Sequence, residues 1–361
     1  MKNERVNFIY VLLLLVTSVG LLNHVIMIPA LYEAAGRDAW LSIIGTFIAL
    51  IPWVYIIPYI AKKTNQEHII KWMQDRISKW IVYPIVAFIS LFLLLTTTVT
   101  LYDLTIWTSI TYLPTTPKFL LLVMFLFICL YLASMSIRTI VIVNTILLPI
   151  VIFLGFFVAT SNLQNKNYSL LFPVLVDGFH PMLMGMIFTT ACMVEVFIIV
   201  FIQHRIKTKI RYSGVLIITA VLMMLGLGPV MGGIAAFGPE VAMKQRFPAY
   251  SQWQLVTIGR YIEHLDFFSV YQWLSGGLIR ISLSLFMLME ILRINQVKKR
   301  KIILPIICLF VLTITMLPIN DMLFVSFLKY FYLPFNLIFI TTLSFVVLII
   351  VMIKGKRKGS S

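Results

Sequence analysis

The chain has 361 residues, 61% of them hydrophobic and 12% charged, with a mean hydropathy of +1.00 and a formal net charge of +16. That composition excludes an ordinary soluble domain and indicates a polytopic membrane protein. So positive a charge would suggest nucleic acid in a soluble chain, but here its distribution follows membrane topology, and no nucleic-acid partner is expected.

Windows of about 18 to 25 apolar residues place ten membrane helices near 8–32, 39–60, 81–110, 118–136, 139–160, 181–203, 213–236, 268–292, 302–318 and 332–353. With the N-terminus inside, cytoplasmic segments hold 21 of the 29 Lys and Arg residues: Lys2 and Arg5, then those in 62–79, Arg138, and those in 205–211, 293–301 and 354–358. The external side holds Arg37, Lys118, Lys166, Lys244, Arg246, Arg260 and Lys329, and Arg280 lies within a span. This bias places both termini in the cytoplasm and favours an even number of helices. The expected fold is an all-α polytopic membrane protein, one transmembrane domain over residues 1–361 in contact with membrane lipids.

The first span carries Gly20, Asn23 and His24 inside it and Pro29 at its end. Backbone freed from a helix in hydrocarbon must find partners in protein, water or ligand, so such a break marks a candidate binding site. Asn23 and His24 could equally be a polar pair between helices, and His24 could titrate near neutrality. The span lacks a small-residue cleavage site, so it is expected to stay in the mature protein.

The loop over 62–79 can form an interfacial helix near His68 to Arg76, with Trp72 and Trp80 as anchors. In the third span Phe92, Thr96 and Thr100 share one face at four-residue spacing. They offer an aromatic wall and hydroxyls to a cavity, although threonines also bond their own helix carbonyls. Cys129, Cys192 and Cys308 lie in separate spans, so neither a disulfide framework nor a metal site follows from them.

A carboxylate or guanidinium at a helix centre costs at least ~2.5 kcal/mol on insertion, so each needs a partner or a wet pocket. Asp103 in the third span, Glu195 in the sixth and Arg280 in the eighth are therefore singled out. Arg280 could lock helices by pairing with Glu195 or Asp103, or meet a ligand carboxylate through its fork of donors, with Ser284 one turn further on. Glu290, near the inner end of the same span, needs only an interfacial pair with Arg293 or Lys298. The external loop over 237–267 can carry a helix over Tyr250 to His264 and serve as a lid, a partner surface or a connector.

Ten helices with an interrupted first span invite a five-plus-five inverted repeat of the LeuT kind, with the first and sixth spans broken near the midplane. The run Phe188 to Glu195, with Thr189, Thr190 and Cys192, fits the sixth position in part. No phosphate loop, catalytic triad or paired carboxylates in a soluble cleft occur, so neither catalysis nor a cofactor is expected.

Several stretches carry a family resemblance: Gly20 to Pro29, Gly36-Arg37-Asp38-Ala39-Trp40-Leu41-Ser42, Glu195-Val196-Phe197, and Ile262 to Phe268. In this order they resemble the B subunit of spore germinant receptors, a branch of the amino acid/polyamine/organocation transporter superfamily. The resemblance implies the same inverted-repeat fold, a location in the inner membrane of a bacterial endospore, an A subunit and a lipoprotein C subunit as partners, and a small germinant, such as an amino acid, as ligand. Carried over, the family's pocket falls at Leu22 to His24, at Phe92 and Thr96, at Cys192 and Met193, and at Arg280 and Ser284. The chain departs from that family where many relatives have Gly-x-Gly before the proline and here stand Leu22, Asn23 and His24, and again at Arg280 and Ser284. The expected function is a germinant-sensing subunit. The alternatives are a proton- or sodium-coupled transporter of amino acids or related solutes, with Glu195, His24 or Asp103 carrying protons, and a scaffold that has lost its ligand site.

Overall fold

The computed structural model describes residues 4–259, 263–294 and 296–355. Lys2, Arg260, Ile262 and the basic residues at 356–358 lie outside the described residues.

Helix α1 (Phe8–Leu21) runs into a π-helical turn, Leu22–Ile26, and α2 (Ile28–Ala35) restarts with Pro29 in its first turn. Proline suits that place because it has no N–H to satisfy and its φ is already helical. Gly36, at φ 54°, ends α2. Then come α3 (Ala39–Trp53), α4 (Ile56–Lys63) and the short α5 (Ile69–Gln74). The long α6 (Lys79–Thr111) opens on Ser78, whose hydroxyl accepts from the Trp80 amide, and Ser136 caps α8 in the same way.

Next follow α7 (Lys118–Ser134), α8 (Ile137–Ser161) and α9 (His180–Met193), which continues as a twelve-residue 3-10 helix, Val194–Arg205. Helix α10 (Tyr212–Phe237) leads to two short pieces, α11 (Pro239–Ala242) and α12 (Pro248–Gln254). Helices α13 (Phe268–Ile291) and α14 (Val297–Thr315) precede α15 (Asp321–Phe327), a second π turn at Leu328–Tyr332, and α16 (Leu333–Lys354).

Each of the ten predicted spans falls on helix. Eight helical runs are long and apolar enough to cross a membrane, among the described residues; α7 is apolar with 17 residues, and α14 carries Lys298, Lys299, Arg300 and Lys301 directly after its first residue, Val297. The structure is an all-helical integral membrane protein. Its surface is apolar where it meets lipid: Phe127, Phe153 and Phe156 on α7 and α8 are exposed.

Burial ranks the helices. The apolar windows around α13 and α9 are 89% and 83% buried, against 28% for α8, so α13 and α9 form the centre and α8 an outer wall. Helix α13 packs against α6, α1, α7 and α8, while α9 packs against α2, α3 and α16. Small residues permit the close approaches. Gly277 of α13 faces Leu104 of α6, Gly276 faces Leu21 of α1, and Gly185 of α9 lies against Ser42 and Ala35.

Two loop expectations need correction. Helix α5 forms, but Trp72 is only 2% exposed and packs into the core instead of anchoring at an interface; Trp80, at 87%, is free to do so. In the second loop α12 ends at Gln254, and Leu255 to Gly259 do not continue it; residues 260–262 of the expected helix lie outside the described residues, and His264 adopts a left-handed φ of 59°. Gln252 turns inward and bonds the carbonyls of Pro229 and Pro248, while Val256 and Leu265 pack with Trp253. Tertiary contacts thus replace the helical continuation.

Candidate functional site

Arg280 lies on the buried face of α13, one turn beyond the Gly276-Gly277 pair that lets α1 and α6 approach. Nη1 and Nη2 donate to Glu195 Oε2 and Oε1 at 2.7 and 2.9 Å, a bidentate pair with both side chains 1% exposed. Nη1 also donates to the carbonyl of Ser18 at 2.9 Å, Nε to the hydroxyl of Thr100 at 3.1 Å, and Nη2 to the hydroxyl of Tyr332 at 3.3 Å. A guanidinium has five N–H donors, and here all five are engaged. Asn336 Nδ2 donates to Glu195 Oε1 at 2.7 Å. Residues of α1, α6, α13, α16, the second π turn and the start of the 3-10 helix thus meet around one ion pair.

A pair taken out of water recovers its desolvation cost only with good geometry and further hydrogen bonds, and this one has both. Any anionic group entering the site must therefore displace Glu195 or another acceptor from Arg280.

The other expected site residues divide by position. Thr96 and Phe92 lie buried on the Thr100 face of α6, and Phe92 meets Phe339 of α16 with centroids 5.3 Å apart. Cys192 and Ser284 are buried in α9 and α13 on either side of the pair in sequence. His24 turns away, with Nδ1 2.9 Å from the carbonyl of Leu225 on α10, and Gly20 faces the same Leu225. Asn23 is buried with Nδ2 unpartnered. Asp103, one turn past Thr100, belongs to a different cluster: its Oδ1 accepts from Arg246 Nη2 at 2.9 Å.

Arg246 comes from the loop between α10 and α13, and its Nε donates to both oxygens of Asp321 at 3.0 and 3.2 Å. Burial opposes its charge, but Asp103 and Asp321 outweigh that and raise the guanidinium's affinity for its proton. Behind it, Trp107 of α6 stacks on Trp273 of α13 at 4.4 Å, with Tyr112, Tyr250 and Phe247 edge-on around the two. The hydroxyls of Tyr112 and Tyr250 donate to Asp266. The loop is therefore strapped across the C-terminal end of α6 and the N-terminal end of α13.

At the opposite end stands a third cluster. Glu290 is buried, not interfacial, and its partners are not Arg293 and Lys298 but Arg205, which donates to both oxygens at 2.8 and 3.1 Å, His204 at 2.7 Å, and Arg300. Arg300 reaches it because the chain doubles back between α13 and α14, with Arg293 at φ 55°. His68 Nε2 donates to the Glu290 carbonyl at 2.9 Å, and its ring lies 4.3 Å from that of His204. Burial, then the neighbouring His204, hold His68 down to about 4. Arg205 and Glu195 bracket the 3-10 helix, so it is anchored by an ion pair at each end.

Sequence reasoning missed Tyr332, Asn336, Arg246, Arg205 and Arg300. Asn336 was visible as an amide in an otherwise apolar span; the others sit near basic or aromatic boundaries that give no signal of an inward turn.

The model of the family described as spore germination protein matches residues 6–322. The spore germination protein XB of Bacillus anthracis is 40% identical over 353 residues, which cover 98% of this chain and 99% of that protein. With a family match over most of its length and a full-length relative at this identity, the chain belongs to the spore germination protein family.

Proposed function

We propose that this chain is the germinant-sensing membrane subunit of a spore nutrient receptor, and that the Arg280–Glu195 pair is the element a small anionic or zwitterionic nutrient acts upon. The single observation carrying the reading is that this saturated pair sits at the first turn of the Val194–Arg205 3-10 helix. Runs of 3-10 helix beyond three or four residues are uncommon and mark hinges. Twelve residues at ~2.0 Å rise instead of ~1.5 Å make the segment about 6 Å longer than the same residues in α-helix. In this reading it is the element that a ligand biases between two states, provided the ligand binds them differently.

In the proposed mechanism a ligand carboxylate takes the place of Glu195 on Arg280, bidentate for bidentate. Asn23 and the carbonyls of the π turn hold the ligand's polar or ammonium end, and Phe92, Thr96, Cys192 and Ser284 shape the remainder. Glu195, released with Asn336, no longer pins the start of the 3-10 helix, which shortens and pulls on Arg205 and Glu290 at its other end. The external strap at Arg246 gates entry.

The same reading takes the chain as one transmembrane domain of ten helices in a five-plus-five inverted repeat. The π turn of the first span and the 3-10 helix of the sixth correspond to the two interruptions. Both termini are cytoplasmic, the location is the spore inner membrane, and the partners are a receptor A subunit and a lipoprotein C subunit. No catalysis is assigned. Solute transport is the second reading, but Glu195 and Asp103 are each held by an arginine, which disfavours their cycling as proton carriers.

The test is germination of spores lacking this chain, followed by loss of refractility and screened against amino acids, sugars and nucleosides, with wild-type and Arg280→Ala genes restored. Loss of the response to one nutrient class, restored by wild type and not by Arg280→Ala at equal protein level, supports the sensor. Unchanged germination in the deletion strain, with solute uptake by the purified protein in vesicles, would move the reading to transport.

A further inference from the structure

The segment between the 3-10 helix and α10 carries Lys207, Lys209 and Arg211 within five residues, all exposed. Exposed basic loops are usually mobile, but this one is pinned from three sides. Val6 donates to the Arg205 carbonyl at 2.9 Å and accepts from the Lys207 amide at 2.8 Å, forming a parallel bridge with Ile206. The Phe8 amide donates to the Thr208 hydroxyl at 2.9 Å. Gln66 Nε2 donates to the Thr208 carbonyl at 3.2 Å, while its Oε1 accepts from the Ile210 amide at 3.3 Å. Lys207, Thr208, Lys209 and Arg211 thereby form one wall of a groove of about 600 Å³ whose other wall is Asn7, Phe8 and Ile9 at the start of α1.

Among the described residues, Lys207, Lys209 and Arg211 make no ion pair, whereas Arg205 and Arg300 on the same face are consumed by Glu290. The groove also opens onto an apolar surface: Ile9 is 56% exposed and Tyr10 39%, at the first turn of a helix that runs into the bilayer. A soluble anion would use the cations and leave that surface unused. A ligand with a phosphate and acyl chains uses both, and basic pockets beside the ends of membrane helices are the recognised chemistry for acidic headgroups.

We propose that this groove binds the headgroup of an anionic glycerophospholipid, its phosphate held by Lys207, Lys209 and Arg211 and its chains lying along Ile9 and Tyr10. The site differs from diffuse attraction to a charged leaflet in having a fixed backbone and a defined set of cations. It also adjoins Arg205, so an occupied groove stabilises the end of the 3-10 helix remote from Glu195.

The experiment uses the full-length protein in detergent, titrated with phosphatidylglycerol or phosphatidylcholine and read by native mass spectrometry and by thermal unfolding. Wild type is expected to retain phosphatidylglycerol in preference to phosphatidylcholine by about tenfold or more. The triple substitution Lys207→Gln, Lys209→Gln, Arg211→Gln is expected to abolish the preference, and Lys209→Gln alone to weaken it. The control Lys298→Gln, Lys299→Gln, Lys301→Gln removes the same charge from exposed positions of α14 and should leave the preference intact. Equal losses in the two triple variants would overturn the proposal in favour of diffuse surface charge. Displacement of the lipid by millimolar glycerol phosphate or inorganic phosphate would overturn it in favour of a soluble anion. If the triple variant does not fold, Lys209→Gln against Lys299→Gln makes the same comparison, and equal effects count against the groove.

Discussion

Arg280 and Glu195 are 85 residues apart and meet through two parallel hydrogen bonds of 2.7 and 2.9 Å, with every remaining donor of the guanidinium also engaged. The helix carrying the arginine and the 3-10 segment carrying the glutamate are the most buried parts of the molecule. Six elements are organised by one pair of charges.

Removing one partner of that pair leaves an uncompensated buried charge. Arg280→Gln or Glu195→Gln should each destabilise the protein by about 3 to 5 kcal/mol, while the double substitution should be far closer to wild type. Thermal unfolding of the purified variants checks this; additive losses would show that the two side chains act independently. Germination assayed on the double variant then separates stability from sensing, since a sensor that works through Arg280 stays unresponsive even when folded.

The strap across α6 and α13 predicts a second coupled pair. Arg246→Gln should release the loop around α12 from Asp103 and Asp321, raising its susceptibility to limited proteolysis, and Asp103→Asn should do the same. Because Asp103 is 1% exposed, leaving it charged and without its guanidinium partner in Arg246→Gln should cost more than removing both charges. An unchanged cleavage rate in Arg246→Gln would mean that Phe247 and Tyr250, packed on the Trp107–Trp273 stack, and the Tyr250–Asp266 bond suffice to hold the loop.

Gly185 sets the distance between α9 and α3. A Cβ there would stand 2.7 Å from that of Ala35 and press on the Ser42 hydroxyl, neither of which is the far end of a flexible chain. Gly185→Ala should therefore lower stability by about 1 to 3 kcal/mol. Gly228→Ala, with open space around its position, should be tolerated. Expression level and unfolding temperature of the two variants provide the comparison.

His68 contributes a pH dependence. Its folded value near 4 lies below its ordinary 6.5, so between these values the unfolded chain binds a proton that the folded one refuses. The stability its neutral ring provides is complete above pH 6.5 and is lost as pH falls toward 4. Unfolding midpoints across that window should fall in wild type and fall less steeply in His68→Gln; parallel curves would place the dependence elsewhere, with His204 the next group to substitute.

Much of the architecture was legible in the sequence because a bilayer imposes one dominant rule: long apolar runs become helices. The all-helical membrane character, the irregular backbone near Asn23 and the need for Arg280 to find a carboxylate follow from that rule and from the cost of burying charge. Which carboxylate it finds did not follow. Glu195 and Asp103 were equivalent candidates along the chain, and only the packing of α13 between α1, α6 and the 3-10 helix assigns Glu195 to Arg280 and leaves Asp103 to Arg246. Likewise Glu290 sits beside Arg293 in sequence but bonds Arg300, which the reversal of the chain brings nearer, and Arg205, which the end of the 3-10 helix supplies. Local pattern decides where a segment lies relative to the membrane; partner choice depends on distances between segments far apart in the chain, and only the tertiary structure fixes those.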